Sequence, residues 1–339
     1  MSIQPSIAIV IPCLNEQEYI AKCLDSIVAQ DYPANLWKVY VVDGRSTDAT
    51  RDIVSAYTLK HPITLVDNPQ KVTPVALNLG IKSAAEEVIM ILGAHAELYP
   101  DHLTEIAKYL QRFSDAGCVG GIIENVYESR ISQYIGWAMS SSFGVGNAHF
   151  RTGNKDGYVD TVAFGAYRRE VFEKAGYFDE ELVRNQDDEF NFRIQQHGFK
   201  IYLAKSIRSR YFVRGSYSKL FKQYFQYGYW KVYVNKKHST ITTVRQTIPA
   251  LFVLFIFGGF ILSFLHPILA LFYFLAWSLY VFAGLFAAVN ACSSPLKTPF
   301  VWWAFFILHL SYGSGYLEGI WHFIILGKQP AAKHAQLSR

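Results

Sequence analysis

The chain has 339 residues, of which 51% are hydrophobic and 17% charged, with a formal net charge of +5 at pH 7. That length gives room for two ordinary domains, and the composition is apolar for a soluble protein. So modest a charge excludes a nucleic-acid partner as the organising feature. The cysteines Cys13, Cys23, Cys118 and Cys292 lack any metal-ligand spacing and read as reduced packing residues.

The opening segment, MSIQPSIAIVIP, lacks a basic region followed by a long apolar core. No signal peptide is expected, and the amino-terminal part is expected to stay in the cytoplasm. Residues 7–12 (IAIVIP) read as a strand and 16–30 as an amphipathic helix. Residues 37–43 (WKVYVVD) are a second strand, 47–60 a second helix, and 63–68 (ITLVDN) a short extended piece. A helix over 75–85 and a strand over 86–92 follow. This alternation predicts an α/β fold with a largely parallel sheet, and ligands in such sheets sit at the carboxyl ends of the strands.

Polar clusters mark three of those ends: Asn15 with Glu16, the run from Asp43 to Asp48, and Gly93 to Glu97. An Asp at the end of a strand can accept from a base or ribose. Ser46, Thr47 and Asp48 can equally cap the next helix, so Asp43 has both a functional and a structural reading. Gly93, His95 and Glu97 on alternate positions read either as a strand reaching water or as a ligand site. Residues 144–157 are rich in Gly and Asn and read as a loop.

In residues 184–198 (RNQDDEFNFRIQQHG), Asn185 is a candidate N-cap, and Gly198 suits a helix stop. Glu189 and Arg193 are spaced for a structural i,i+4 pair. Asp187 beside Asp188 in the first turn is not explained that way, and points to a base or a metal site.

Residues 216–245 interleave aromatic residues with Lys219, Lys222, Lys231, Lys236, Lys237 and Arg245. They suit a helix lying on an anionic membrane surface with a cytoplasmic flank, the other reading being a core helix of the head. From 246 to 296 there is no Asp, Glu, Lys or Arg. Apolar runs at 248–265 and 268–289 each reach about 27–33 Å as helices, close to the hydrocarbon thickness. A third run, 300–326, is interrupted by His309, SYGSGY and Glu318, and is left open between a span and a re-entrant segment.

IPCLNE, VVDGRSTDAT, TPVALNLGI, a strand ending seven residues before Pro100, GYFDEEL and NQDDEFNFRI together resemble a family 2 glycosyltransferase with the GT-A fold, over residues 6–207. The following YFVRGSYSKLFKQYFQYGYWK and the apolar tail resemble the succinoglycan-type exopolysaccharide subgroup. The resemblance implies a GT-A catalytic domain over 1–215, an interfacial helix region over 216–245, membrane-embedded helices over 246–327 and a polar tail over 328–339. It implies an inverting transferase that moves a sugar from a nucleotide-sugar donor, a UDP-sugar first among these, to a polyprenyl-diphosphate-linked saccharide. The setting is a multi-pass protein of the bacterial plasma membrane with a cytoplasmic catalytic domain.

By that resemblance Pro12, Asn15, Glu16 and Asp43 line the nucleotide pocket, with Lys71 and Asn78 near the base or phosphates. Asp187 is the general base and Asp188 its alternative. Gln226, Tyr227 and Trp230 stand on the acceptor or diphosphate side, although the usual Gln-x-x-Arg-Trp is not present. The family's strand ends in Asp-x-Asp, which holds a divalent ion. Here those two slots are Gly93 and His95, and Glu97 occupies a third alternate slot. His95, facing the diphosphate, and Glu97 are thus the expected ligands of Mn²⁺ or Mg²⁺, imidazole favouring borderline metals over Mg²⁺. Two other readings stand beside this one: a membrane scaffold that lost catalysis with its Asp-x-Asp, which the intact NQDDE opposes, and a processive synthase, which the short tail opposes.

Overall fold

The computed structural model describes residues 4–213, 215–292 and 294–330. Of the expected polar tail, 331–339 lie outside the described residues. The chain forms two compact units, one from Met1–Val126 and His149–Phe212, the other from Tyr127–Ala148 and Val213–Arg339.

The first unit is built on nine strands: β1 Ile7–Cys13, β2 Trp37–Asp43, β3 Ile63–Asp67, β4 Val88–Ile91, β5 Ala96–Leu98, β6 Ala116–Val126, β7 Gly157–Val159, β8 Ala163–Arg168 and β9 Lys200–Phe212. Their order is β3-β2-β1-β4-β8-β6-β9-β5, with β7 paired to β9. The β1–β2, β2–β3 and β1–β4 pairs are parallel, while β8 runs antiparallel to β4 and β6. The sequence explains the parallel half. Ile7, Ile9, Ile11, Val39 and Val41 face one core, and Ala8, Val10, Tyr40 and Val42 face the other. Strands apolar on both faces need helices on both faces, as in a crossover-connected parallel sheet. The helices Ile20–Val28 and His102–Arg112 supply the first core, and Thr73–Ser83 with Gln186–Gln196 the second.

Register then aligns the strand ends. Cys13 pairs with Asp43, and Asp43 with Asp67, so the loops after β1, β2 and β3 leave the sheet side by side. Helices predicted at 16–30 and 47–60 begin later, at Ile20 and Thr50, because the chain first makes these strand-end loops. The expected loop 144–157 overlaps the short helix Ser142–Val145 and contains a second, His149–Thr152.

In the second unit, Tyr127–Ala148 joins the carboxy-terminal helices. Phe143 meets Phe305 edge-on at 5.0 Å, and its carbonyl lies 2.9 Å from Nε2 of His309. The 1–215 boundary expected from the sequence takes no account of this excursion. The helix Tyr217–Lys237 buries Leu220, Gln223, Gln226 and every residue from Gly228 to Val234. The stretch Gly228 to Val234 is therefore enclosed on all sides, unlike a surface-lying helix with one wet face. Two further helical stretches, Val244–Ser263 and Pro267–Ala291, are long and apolar enough to cross a membrane. The third apolar run forms one helical stretch, Thr298–Gly319 continuing into Ile320–Ile325, and its first part carries many buried residues.

Candidate active site

Hydrogen bonds lace the loops after β1 and β2 together. The backbone N–H of Asn15 donates to Ser46 Oγ at 2.8 Å, and Asn15 Oδ1 accepts from the N–H of Thr47 at 2.8 Å. The N–H of Glu16 donates to Thr50 Oγ1 at 2.8 Å. Asp48 accepts from the N–H of Thr50, the first residue of the following helix, at 3.0 Å. Burial pushes the Asp48 carboxyl up, but the bonds from Thr50 and Gln17 outweigh it and hold the group below its usual range. Asn15, Arg45 and Lys71 all adopt positive φ (53°, 59° and 61°), so each of these strand-end loops carries a strained turn.

Asp43 is fully buried. It accepts from the N–H of Ser46 at 3.0 Å, from the Ser46 hydroxyl, and from Arg51 Nη1 at 2.6 Å. Arg51 Nη1 also reaches Asp67 at 3.1 Å, and Arg45 pairs with the same carboxylate at 3.3 Å. Asp43 thus organises the turn at the strand end, as its structural reading expects. Arg51, which the sequence reading passed over, joins the ends of β2 and β3. Pro12 is half-buried at the end of β1, and Lys71 is exposed after β3.

Asn78 has a different place. It is 4% exposed, and its amide donates to the Phe178 carbonyl and to Glu180, each at 2.9 Å, while accepting from the N–H of Phe178 at 3.0 Å. Its polar atoms clamp the segment around Phe178 to the Thr73–Ser83 helix, a structural task beside the nucleotide-side role expected of Asn78.

At the end of β4, His95 Nδ1 lies 3.6 Å from Oε1 of Glu16, a carboxylate 5% exposed. The His95 ring meets Tyr211 edge-on, centroids 5.5 Å apart. Glu97 pairs with Arg210 Nη1 at 3.4 Å, its strand partner across β5 and β9. It also lines an open cavity of about 480 Å³ with Lys22, Asp25, Ser26 and Tyr99. Among the described residues no three His, Cys, Asp or Glu side chains converge as a metal-holding group. The carboxylate that the structure brings to His95 is Glu16, whereas Glu97 is engaged by an arginine. An imidazole beside a carboxylate is a donor pair suited to a borderline divalent ion. A Cβ added at Gly93 would meet only ordinary contacts, Phe164 at 3.5 Å and His95 at 3.7 Å.

The acidic run opens the helix Gln186–Gln196, preceded by Asn185 at φ 60° with no side-chain cap bond. Asp187 is exposed, and Asp188 half-buried. Asp187 Oδ1 accepts from the N–H of Asp188 at 2.9 Å. Burial, then the thiol of Cys118 and the Asp187 carboxylate, push the Tyr167 hydroxyl well up. Glu189 pairs with Arg193 at 2.9 Å, and Arg193 donates to the Tyr177 carbonyl at 2.7 Å and to that of Ala175. That pair is structural, as its spacing predicts. Gln226, Tyr227 and Trp230 lie in the second unit, where Gln226 and Trp230 are 2% and 1% exposed and the Tyr227 hydroxyl accepts from Gln223 at 2.8 Å.

A mostly parallel sheet with polar loops at its carboxyl ends and an acidic helix start is the plan of a GT-A enzyme. Residues 8–176 match the family described as "Glycosyl transferase family 2". The chain is 34% identical over 231 residues to a Methanococcus voltae protein named dolichyl N-acetyl-alpha-D-glucosaminyl phosphate 3-beta-D-2,3-diacetamido-2,3-dideoxy-beta-D-glucuronosyltransferase, covering 66% of this chain and 71% of the relative. It is 28% identical over 254 residues to the succinoglycan biosynthesis protein ExoA of Rhizobium meliloti, covering 74% and 76%. The mannosyltransferase PcManGT of Pyrobaculum calidifontis, solved with GDP-Man and Mn²⁺, superimposes with a TM-score of 0.60 at 20% identity, covering 94% of this chain and 88% of that one. S. aureus TarS 1-349 with UDP gives 0.52 at 16% identity, covering 95% and 92%. The two structures establish the fold, and the sequence relatives the family. The chain belongs to glycosyltransferase family 2 and is a glycosyltransferase.

Proposed function

We propose that the protein adds one sugar from a nucleotide-sugar donor to a polyprenyl-linked saccharide at a membrane surface, with inversion at the anomeric carbon. The observation that carries this reading is the alignment of polar loops after β1, β2 and β4, which bring Asn15, Asp43, Glu16 and His95 to one end of a family 2 sheet. Pro12, Asn15, Glu16, Asp43 and Lys71 bind the nucleotide in this reading. Asp43 acts through the turn it builds with Ser46 and Arg51 as much as through its own oxygens.

Asp187 is the general base. It takes the proton of the acceptor hydroxyl as that oxygen attacks the anomeric carbon, and the bond to the diphosphate breaks on the opposite face. The exposure of Asp187, against half-burial of Asp188, favours it for meeting a substrate. His95, with Glu16 as its nearest carboxylate, would hold a divalent cation together with diphosphate oxygens, Glu97 joining only on leaving Arg210. When bound, such an ion offsets charge on the departing diphosphate.

The lipid-linked acceptor follows from two supports. The named relatives act on a dolichyl-linked sugar and in succinoglycan synthesis, and two helices here suit a bilayer. A lipid-linked sugar presents its hydroxyl at the membrane surface, where an anchored head meets it. Gln226, Tyr227 and Trp230 remain assigned to the acceptor side, with Tyr227 the least buried of the three.

Membranes carrying the protein, incubated with UDP-, GDP- and dTDP-sugars and a polyprenyl-linked saccharide, test the reading. It requires a product one sugar longer, with the anomeric configuration inverted by NMR. A long polymer would establish the processive reading instead, and no transfer from any donor would favour the scaffold.

A further inference from the structure

The strand-end cluster contains a cation to which the reading above gives no task. Arg151 lies in the short helix His149–Thr152. Its Nη1 is buried and has no hydrogen-bond partner among the described residues. A buried guanidinium donor left unmet costs free energy, and a ligand that supplies the acceptor removes that cost. The position of the guanidinium suggests that ligand. Its carbon Cζ lies 5.4 Å from the ring centroid of Tyr211. The same ring meets His95 edge-on at 5.5 Å, and Tyr211 pairs with Ala96 across β9 and β5. Arg151 and His95 therefore share one aromatic ring at the end of β4, two residues beyond Gly93.

The residues at positions 93 and 95 are Gly and His, neither of them an acid, so the carboxylates near this strand end are Glu16, beside His95, and Glu97, paired with Arg210. Arginine is the side chain suited to a polyanion, since its planar fork gives two donors to phosphate oxygens and keeps its charge at every working pH.

We propose that Arg151 binds the β-phosphate of the donor nucleoside diphosphate and stabilises it as leaving group. When the acceptor oxygen forms its bond to the anomeric carbon, the old bond breaks and its electron pair passes to the β-phosphate oxygen. That oxygen gains the negative charge that the guanidinium faces, while the acceptor proton goes to Asp187. The role rests on the nucleotide-sugar reading given above.

Calorimetry on the full chain in detergent, with the parent, Arg151→Lys and Arg151→Gln, provides the test. The probes are UDP, GDP and dTDP beside the matching monophosphates. Arg151→Gln should weaken diphosphate binding about tenfold or more and leave monophosphate binding within about twofold, with Arg151→Lys between. The retained monophosphate binding also reports a folded site. Unchanged diphosphate affinity in Arg151→Gln overturns the proposal. So does an equal loss for mono- and diphosphates, the mark of an arginine that only supports Tyr211. A parent protein that binds none of the six nucleotides overturns the nucleotide-sugar reading itself, and the task of Arg151 with it.

Discussion

Asp187 and its neighbours show how one helix start serves two purposes. The pair of Glu189 with Arg193, and the bonds of Arg193 to the Ala175 and Tyr177 carbonyls, fix the helix to the preceding loop. Asp187 is left exposed at the end so fixed. Asp187→Asn keeps the shape and removes the proposed base, so turnover should fall by about 10²–10⁴ with donor binding retained. Near-normal turnover in that variant would pass the role to Asp188. His102 is a different kind of titratable residue. Its Nδ1 lies 2.7 Å from the Arg208 carbonyl, and its Nε2 is buried without a partner. Burial pushes its pKa down to about 4, so the folded protein keeps it neutral. The unfolded chain binds the proton near pH 6.5, so stability is lost progressively as pH falls from about 6.5 to about 4. Urea midpoints at pH 7 and pH 5 should differ by less in His102→Gln than in the parent; an equal difference would free His102 of the effect.

At the scale of elements, the crossing of Tyr217–Lys237 with Thr298–Gly319 is a tight constraint. A Cβ at Gly228 would stand 2.0 Å from the Tyr312 carbonyl oxygen, and one at Gly315 would stand 2.0 Å from that of Phe225. Backbone meets backbone here, and neither side can turn away. Gly228→Ala should therefore destabilise the second unit by about 1–3 kcal/mol or more. Gly258→Ala, where a Cβ meets nothing within 4 Å, is the matched control. Equal thermal melting of the two variants in detergent would show that the crossing yields. Elements also separate what the sequence made legible from what it hid. The strands β1, β2 and β4 were legible because their apolar runs are local and end in polar clusters. The clamp of Asn78 on Phe178 was not, because it joins residues a hundred positions apart and an Asn in a helix carries no mark of it. Arg51 and Arg151 escaped notice for the same reason: a bridge between two strand ends and an unmet buried nitrogen exist only once the sheet is assembled. The pairing of Glu97 with Arg210 likewise depends on the register of β5 on β9, which no spacing in the sequence encodes. The turn of residues 127–148 into the second unit depends on Phe143 finding Phe305, again a distant partner.

For the molecule as a whole, the decisive question is what covers the helical stretches Val244–Ser263 and Pro267–Ala291. They have 20 and 25 residues, about 30 and 38 Å of helix, enough to cross the hydrocarbon core. Only 11% and 6% of their most apolar windows are buried within the protein. Phe257, Phe272, Phe282 and Phe286 are 58%, 65%, 71% and 72% exposed, a surface that water would penalise heavily and lipid would not. The basic residues Lys236, Lys237 and Arg245 precede the first stretch. In the proposed reading both stretches cross, the chain returns to its starting side, and the positive-inside rule puts that side in the cytoplasm. The protein should therefore stay with membranes through alkaline carbonate, and its catalytic head should resist protease in intact cells but not in inverted vesicles. Phe282→Arg places a charge in the second crossing at a cost of about 2.5–3.5 kcal/mol near the bilayer centre, and should lower the inserted fraction. On a water-exposed helix the same change would be harmless. Release of the intact protein by carbonate, together with unchanged behaviour of Phe282→Arg, would mean that these helices cover one another or a second protein rather than lipid.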